Sequence, residues 1–150
     1  MAGDIKEKAG TTTSAVTSGG VVNNGAAAIA NGNANLANSA NLDQFVTARL
    51  ATAAAANPTE GTTVALYLVP KSDGANVADV DTSTPFIPQN YFVGNFVWPA
   101  TGVATSKIMD IDGIPLSAID YVPYIINNLG QNMSSGWTLS FYGTRSQYTP

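Results

Sequence analysis

The sequence predicts an all-β protein, an antiparallel β-sandwich or jelly-roll-like barrel that follows an extended, low-complexity N-terminal arm. Three observations lead to this prediction. From Leu42 onward, apolar residues recur with a period of two, which is typical of strands. The strand-like segments are short and are separated by turns rich in Gly, Pro, Asn and Asp, as in sandwiches and barrels. Before that point, residues 9–42 carry no charged side chain.

The arm is predicted to span residues 1–42, and the sandwich domain residues 43–150. Residues 9–42 contain seven Asn, and such residues favour turns and irregular backbone over regular helix. By composition this segment is either a flexible tail or an arm held against the domain or a neighbouring chain. Ordering a chain costs about 1–2 kcal/mol per residue in backbone entropy, so only a large contact would hold such an arm. Its expected contact residues are Val21, Val22, Ile29 and Leu36.

Six segments of the domain have the periodicity of strands. They are residues 44–50, 62–69, 91–98, 105–111, 121–127 and 136–142. Weaker candidates are residues 21–22, 26–29 and 77–80, and a helical turn is expected near residues 117–120. Pro123 has no amide hydrogen to donate, so its strand is expected to be an edge strand or to carry a bulge there.

Aromatic residues of the domain divide into two groups by alternation. One group is assigned to the core and comprises Phe92, Phe96, Trp98, Trp137 and Phe141. Tyr91 and Tyr142 fall on the opposite face and Tyr148 lies at the C-terminus, so these three tyrosines are the expected contact residues of the domain.

Composition argues against most kinds of catalysis. The chain has no cysteine and no histidine, so it lacks thiol nucleophiles, the usual general base at neutral pH and the commonest transition-metal ligands. No S-x-x-K or phosphate-binding glycine motif is present. A hydrolase would need two carboxyl groups facing each other across a cleft, and the sequence offers no such pair with confidence. We therefore expect no enzyme, no cofactor and no small-molecule substrate.

Other binding functions have equally little support. Asp110-Ile111-Asp112-Gly113 departs from a calcium loop, because glycine follows the second aspartate at once. Asp79 and Asp81 are weak candidates for a cation site, and no other metal site is expected. A net charge of −4 argues against nucleic acid as a partner. The longest apolar run, residues 64–69, is far below the roughly 20 residues of a membrane helix, and the N-terminus does not resemble a secretory signal.

Residues from about Leu42 to Gly130 resemble a family of small virion proteins of tailed bacteriophages. The resemblance lies in the order of its elements. These are Leu42-Asp43-Gln44-Phe45, the run from Val64 to Pro70, Ser72-Asp73-Gly74, the acidic segment from Ala78 to Asp81, the loop holding Pro85 and Pro88, the run from Tyr91 to Phe96, Gly113-Ile114-Pro115-Leu116 and Asn127-Asn128-Leu129-Gly130. The N-terminal arm lies outside the resemblance.

The resemblance implies a β-sandwich without catalysis and a structural part of the virion, above all a decoration (cement) protein on the exterior of the phage head. Its partners would be the major capsid protein and copies of itself, as a homotrimer, after synthesis in the cytoplasm of the bacterial host. The alternative is a tail or adsorption protein: a tube or baseplate component, or a glycan-binding jelly-roll tip.

Overall fold

The computed structural model describes residues 4–29, 36–53, 58–71, 89–99 and 106–149. Within these residues the chain forms eight strands, one short helix and one 3-10 turn. In chain order they are β1 (Asp4–Val16), β2 (Ala27–Ile29), α1 (Asn38–Asn41), β3 (Phe45–Thr52), β4 (Thr63–Pro70), the 3-10 turn (Gln89–Tyr91), β5 (Phe92–Val97), β6 (Lys107–Pro115), β7 (Tyr121–Asn128) and β8 (Thr138–Thr149).

The strands form two four-stranded antiparallel sheets. The first sheet has the order β1-β8-β3-β6, and the second has the order β2-β7-β4-β5. The first strand thus pairs with the eighth, the second with the seventh, the third with the sixth and the fourth with the fifth. The prediction of an antiparallel β-sandwich is confirmed, and all six strands expected in the domain are present, although β6 and β8 continue four and seven residues past their predicted ends.

The main core lies between the two sheets and follows the alternation of the strands. In β3, for example, Val46, Ala48 and Leu50 are buried, while the residues between them are partly exposed. The largest side chains with essentially no exposed surface include Trp137, Phe96, Phe141, Leu66 and Ile125. Fully burying one such side chain contributes about 1.5–3 kcal/mol, so this layer supplies most of the stability of the fold.

Phe92 does not belong to this core, contrary to the prediction. Four of the five aromatic residues assigned to the core are at least 97% buried, whereas Phe92 is 42% exposed. The register of β5 against β4 shifts between Gly94 and Phe92. One extra residue in a strand turns the next side chain to the other face. Phe92 therefore meets Tyr67 on the outer face of the second sheet, edge to face at 5.5 Å.

The second sheet also carries buried apolar residues on its outer face. Ala65, Tyr67 and Val69 of β4 form a cluster there with Val122 and Tyr124 of β7. Burial raises the pKa of the Tyr124 hydroxyl, because the charged phenolate would lose its hydration. The apolar character of β4 on both faces, which its sequence predicts, thus reflects two separate layers of packing.

The extended arm predicted for residues 1–42 is not confirmed, because the described part of this segment is built into both sheets. β1 pairs with β8 through ten residue pairs, and β2 pairs with β7. Val22 forms a bridge with Met133, and Leu36 forms one with Tyr121. Small polar residues give no clear apolar period, yet their backbone groups pair in a ladder as well as any others.

The loop after β1 packs closely on Trp137. The Trp137 indole Nε1 donates a hydrogen bond to the Gly20 carbonyl at 2.8 Å, and the Gly19 amide donates to the Trp137 carbonyl at 2.8 Å. A Cβ atom at Gly19 would overlap the indole ring, whereas a Cβ atom at Gly20 would meet nothing within 4 Å. The two neighbouring glycines therefore differ sharply in the space around them.

Gly19→Ala is expected to lower the free energy of unfolding by about 1–3 kcal/mol, because the methyl group displaces a buried indole. Gly20→Ala is the matched control and should change it by less than about 0.5 kcal/mol. Chemical denaturation followed by tryptophan fluorescence measures both variants. Equal effects of the two substitutions would contradict this placement of the loop.

Pro123 lies in β7, between β2 and β4, and the ladder with β4 continues through it without a register shift. The prediction of an edge strand or a bulge is therefore wrong. The amides of Tyr121 and Asn127 donate to Leu36 and Ala26, away from β4. Since alternate residues of a strand direct their amides to the same side, the Pro123 nitrogen also faces away from β4 and removes no bond from that ladder.

The helical turn expected near residues 117–120 is absent from the described structure, which has bends there. The single described helix is α1, which belongs to the segment that the sequence predicts as an extended arm. Its Asn-rich sequence has low intrinsic helix propensity. The hydrogen bonds of its side chains to other loops, described below, hold it in place.

Candidate partner-binding end of the sandwich

Two strands extend past the others at one end of the first sheet. β3 begins at Phe45, which lies opposite Thr144 of β8. Residues 145–149 of β8 therefore continue beside residues 4–8 of β1 without β3 next to them. We call this two-stranded element the ribbon, and the end of the sandwich from which it extends the ribbon end. An isolated pair of strands is only marginally stable in water, so a ribbon of this kind gains from a partner.

Helix α1 lies at the base of the ribbon and is fixed by a buried asparagine. The Asn38 side-chain amide donates to the carbonyl oxygens of Asp43 at 2.9 Å and Ser117 at 2.7 Å. Its own side-chain oxygen accepts from the Asp43 amide at 2.8 Å. Asn38 is 1% exposed, and a buried amide with all these bonds made contributes to a single defined arrangement.

Asp120 attaches α1 to the loop before β7. Its carboxylate accepts hydrogen bonds from the Ser39 amide at 2.9 Å and the Ser39 hydroxyl at 2.7 Å. These bonds favour the charged form and lower the pKa of Asp120. The contact is therefore fully formed at pH values above the ordinary carboxyl pKa. It weakens as the pH falls through the lowered pKa of Asp120.

Asp43 is buried beneath the pairing of β1 with β8. Its side chain sits where Cβ atoms of Gly10 and Gly143 would overlap it, so two glycines in adjacent strands make the space for the carboxyl group. The Thr11 amide lies 3.4 Å from Oδ2, and Oδ1 has no hydrogen-bond partner. The ladder shifts register between Ala9 and Thr12, at the place where the carboxyl group enters. The acid thus lies at the place where β1 and β8 depart from regular pairing.

Four of the exposed apolar side chains lie toward the ribbon end, while Val21, Val97 and Ile108 lie toward the opposite end. Leu42 is 57% exposed, Phe45 47%, Phe92 42% and Ile119 39%. Phe45 lies opposite Pro115 in the ladder with β6, and the Leu116 amide donates to the Gln44 carbonyl. These contacts join the turn after α1 to the end of β6. Exposed apolar groups gathered in one region are typical of an interaction surface.

Leu42 is also strained. It has φ 54° and ψ 33° at the C-terminus of α1, and it is the one residue other than glycine with positive φ among the described residues. The left-handed region costs a residue with a Cβ atom roughly 1–2 kcal/mol. An exposed leucine in a conformation that suits glycine contributes little to the helix end or to the core, which makes Leu42 a candidate contact residue.

Leu42→Gly is expected to raise the free energy of unfolding by about 0.5–1 kcal/mol, because glycine relieves the left-handed strain. Leu42→Ala keeps the strain and should change stability by less than about 0.5 kcal/mol, since the side chain is exposed. Thermal or denaturant unfolding of the two variants separates backbone strain from side-chain packing. A loss of stability in Leu42→Gly would show that the leucine side chain supports the fold instead.

A groove of about 400 Å³ opens between the edge strands of the two sheets. One wall contains Tyr91 and Val93 of the 3-10 turn and β5, and the other contains Ile111 and Ile114 of β6. Its volume is within the usual range for a binding pocket. Because β5 begins and β6 ends near the ribbon end, the groove belongs to the same region as the exposed apolar residues.

The outer face of the first sheet is polar. Arg49 forms a bidentate ion pair with Asp110, with both N–O distances 2.8 Å. The Arg49 guanidinium also lies 5.3 Å from the ring centre of Tyr142. The hydrogen bonds from Arg49 lower the pKa of Asp110, and in return Asp110 raises the pKa of Arg49. Arg49 is largely hydrated, so this pair adds little to stability.

The structure separates the residues that the sequence predicts as partner contacts. Val22 and Leu36 are at least 96% buried in the main core, which corrects their assignment to an accessible surface. Tyr91 lies at the ribbon end, Tyr142 on the outer face of the first sheet, and Val21, 63% exposed, beside the bridge at the opposite end. These three remain predicted contacts.

Four further predicted residues fall wholly or partly outside the described structure. The register places Ile29 opposite Tyr124 and Tyr148 opposite Ile5, while both side chains lie outside the described part. Asp79 and Asp81 lie outside the described residues altogether. Within the described ranges, no three acidic, histidine or cysteine side chains come together as a metal site.

Sequence reasoning missed Leu42, Phe45, Asp43 and Asn38. Asn38 and Asp43 are five residues apart in a polar segment, and that spacing alone does not indicate burial. By alternation Phe45 falls on the opposite face of the strand from Val46, Ala48 and Leu50, and this pattern indicates that it is exposed.

None of the described helices is long and apolar enough to cross a membrane.

Comparison with known proteins identifies no relative: no family model, no curated protein and no solved structure matches this chain.

Proposed function

We propose that this protein is a non-enzymatic component of a tailed-phage virion, a decoration protein that binds the exterior of the head and stabilises it through contacts with the capsid protein and with copies of itself. The observation that carries the proposal is the ribbon end, where a two-stranded extension, exposed apolar residues and a groove occur together. The resemblance of residues 42–130 to small virion proteins supplies the identity of the partner.

The strand order supports a jelly roll as the finer description of the sandwich. The orders β1-β8-β3-β6 and β2-β7-β4-β5 arise when one long antiparallel hairpin of four strand pairs wraps into two sheets. Eight-stranded jelly rolls of two sheets recur in viral capsid domains and in lectins. This likeness is one of architecture, and the same architecture carries many functions, so the site has to decide between them.

Three carboxylates of the described structure support a structural role. Asp110 is paired with Arg49, Asp112 accepts a hydrogen bond from the Thr47 hydroxyl, and Asp120 accepts two from Ser39. Each thus makes a contact that joins two elements of the fold. A decoration protein needs such a fixed scaffold, because the binding surface has to be held in one shape when it meets the shell.

Binding to isolated heads tests the proposal. Heads of the phage that encodes this chain, prepared without it, are incubated with the purified protein and sedimented. We expect saturable binding and a higher temperature of head disruption. Leu42→Ala combined with Phe45→Ala should weaken binding, whereas Val21→Ala combined with Val97→Ala, two exposed residues away from the ribbon end, should not. Binding to tails but not to heads would contradict the proposal.

An adsorption protein is the second candidate, and the outer face of the first sheet favours it. Tyr142 is exposed beside Arg49 and Asp110, and an aromatic ring next to charged hydrogen-bonding groups suits a sugar. Binding of the protein to host surface glycans on an array, abolished by Tyr142→Ala, would support this candidate over the head protein. Absence of binding to any glycan on the array would contradict the adsorption candidate.

A further inference from the structure

We propose that Asn24 is a modification site: its side chain loses ammonia and becomes aspartate or isoaspartate, and the native fold restricts this reaction to molecules in which the end of the sandwich opposite to the ribbon has opened. Asn24-Gly25 is one of two Asn-Gly sequences in the chain, and Asn31-Gly32 is the other. The inference does not depend on the proposed attachment to a phage head, because it rests on the chemistry and the contacts of one turn.

The reaction needs water and no cofactor. The backbone nitrogen of Gly25 loses its proton and attacks the side-chain carbon Cγ of Asn24, which closes a succinimide ring. The side-chain nitrogen takes up a proton and leaves as ammonia. Water then breaks one bond of the ring nitrogen: cleavage at Cγ gives aspartate, and cleavage at the main-chain carbonyl carbon gives isoaspartate. Glycine favours ring closure, because it has no Cβ atom to hinder the approach of its nitrogen.

The native turn engages the attacking nitrogen. The Gly25 amide donates a hydrogen bond to the Asn127 carbonyl at 2.6 Å. The Ala26 amide donates to the Asn23 carbonyl at 3.0 Å, and Gly25 has φ 75°, so these residues form a β-turn with glycine at its third position. The Gly25 nitrogen can attack only after its bond to Asn127 has broken, because the proton in that bond has to be removed first.

Two further hydrogen bonds hold Asn24. Its side-chain oxygen Oδ1 accepts from the Gly130 amide at 2.9 Å, and its backbone amide donates to the Asn132 side-chain oxygen at 3.1 Å. Asn24 and Gly25 are both exposed, so water reaches them and burial does not protect the site. Protection therefore comes from the bonds that tie the turn to the end of β7 and the loop after it, and the reaction requires local opening of this end.

The two products should affect the fold differently. Aspartate leaves the main chain unchanged and keeps an oxygen for the Gly130 amide. Isoaspartate adds one carbon atom to the main chain inside the turn, just before β2, which has only three residues to pair with β7. The lengthened turn no longer fits that pairing, so a molecule that has opened and formed isoaspartate stays less stable at this end.

Tandem mass spectrometry after incubation at mildly alkaline pH measures conversion at Asn24 in the native full-length protein and in the protein unfolded by urea. We expect the native rate to be at least about tenfold lower, because only opened molecules react. Asn31-Gly32 is the internal reference in urea, where both asparagines should react at similar rates. Equal rates at Asn24 in the native and the unfolded protein, or no reaction at Asn24 in urea, would overturn the inference.

Two variants identify the protecting contacts. Asn132→Ala removes the acceptor of the Asn24 amide and should raise the native rate about threefold or more, while the rate in urea stays unchanged. Asn128→Ala, which removes another exposed asparagine side chain at the end of β7, is the matched control and should change neither rate. Equal native rates in the two variants would contradict the role of the turn contacts. The isolated isoaspartate form should unfold at a lower temperature than Asn24→Asp, and equal unfolding temperatures would contradict the effect on β2.

Discussion

Deletion of residues 1–16 is expected to unfold the sandwich, not simply to trim a flexible tail. The deletion removes the whole of β1, including the buried residues Ala15 and Val16, and leaves β8 without the ten residue pairs it forms with that strand. A domain of this size has a total stability of about 5–15 kcal/mol, and one edge strand with its share of the core is a large part of it. Circular dichroism and denaturant unfolding of the truncated chain measure the effect.

Lys8→Ala is the matched control, because it changes an exposed side chain of β1 and keeps the strand itself. It should leave the unfolding transition within about 0.5 kcal/mol of the full chain. A cooperative transition of unchanged midpoint after loss of residues 1–16 would contradict the placement of β1 in the first sheet. It would restore the alternative in which this segment is an arm outside the domain.

Gly143→Ala is expected to lower the free energy of unfolding by about 3 kcal/mol or more. Gly143 lies in β8 between β1 and β3, and the added methyl group would overlap the buried Asp43 carboxyl group. Overfilling a packed interior ordinarily costs about 1–3 kcal/mol. Here the displaced group is a buried carboxyl group with an unpartnered oxygen, and its displacement also breaks its weak contact with the Thr11 amide.

Asp43→Ala identifies the cause of this loss. If the methyl group of Gly143→Ala collides with the carboxyl group, the double variant should be more stable than Gly143→Ala alone, with a coupling energy of about 1–3 kcal/mol between the two positions. Denaturant unfolding of the two single variants and the double variant gives that value. Strict additivity would show that the space beside Gly143 is limited by the backbone and not by Asp43.

The domain strands could be predicted because their apolar residues alternate. β3 and β8 present Val46, Leu50, Leu139 and Phe141 on one face, and that pattern alone specifies a half-buried strand. The paired first strand could not be predicted in the same way. Residues 10–14 are glycine, threonine and serine only. They are held in the sheet by backbone pairing with β8, and backbone pairing requires no particular pattern of side chains.

The ribbon end was hidden from the sequence for a different reason. It depends on where strands end relative to one another, and register differs by single residues that local patterns do not specify. The extra residue beside Phe92 reverses which face that ring occupies. The burial of Asp43 depends on Gly10 and Gly143, which are far apart in the chain and meet only because β1 pairs with β8.

Cryo-electron microscopy of the virion that carries this chain tests the central claim most directly. The account predicts density for the sandwich on the outer surface of the head, with the ribbon end turned toward the capsid protein and toward neighbouring copies. The residues in contact should include Leu42 and Phe45. Density confined to the tail, or a sandwich bound to the shell through the opposite end, around Val21 and Val97, would contradict it.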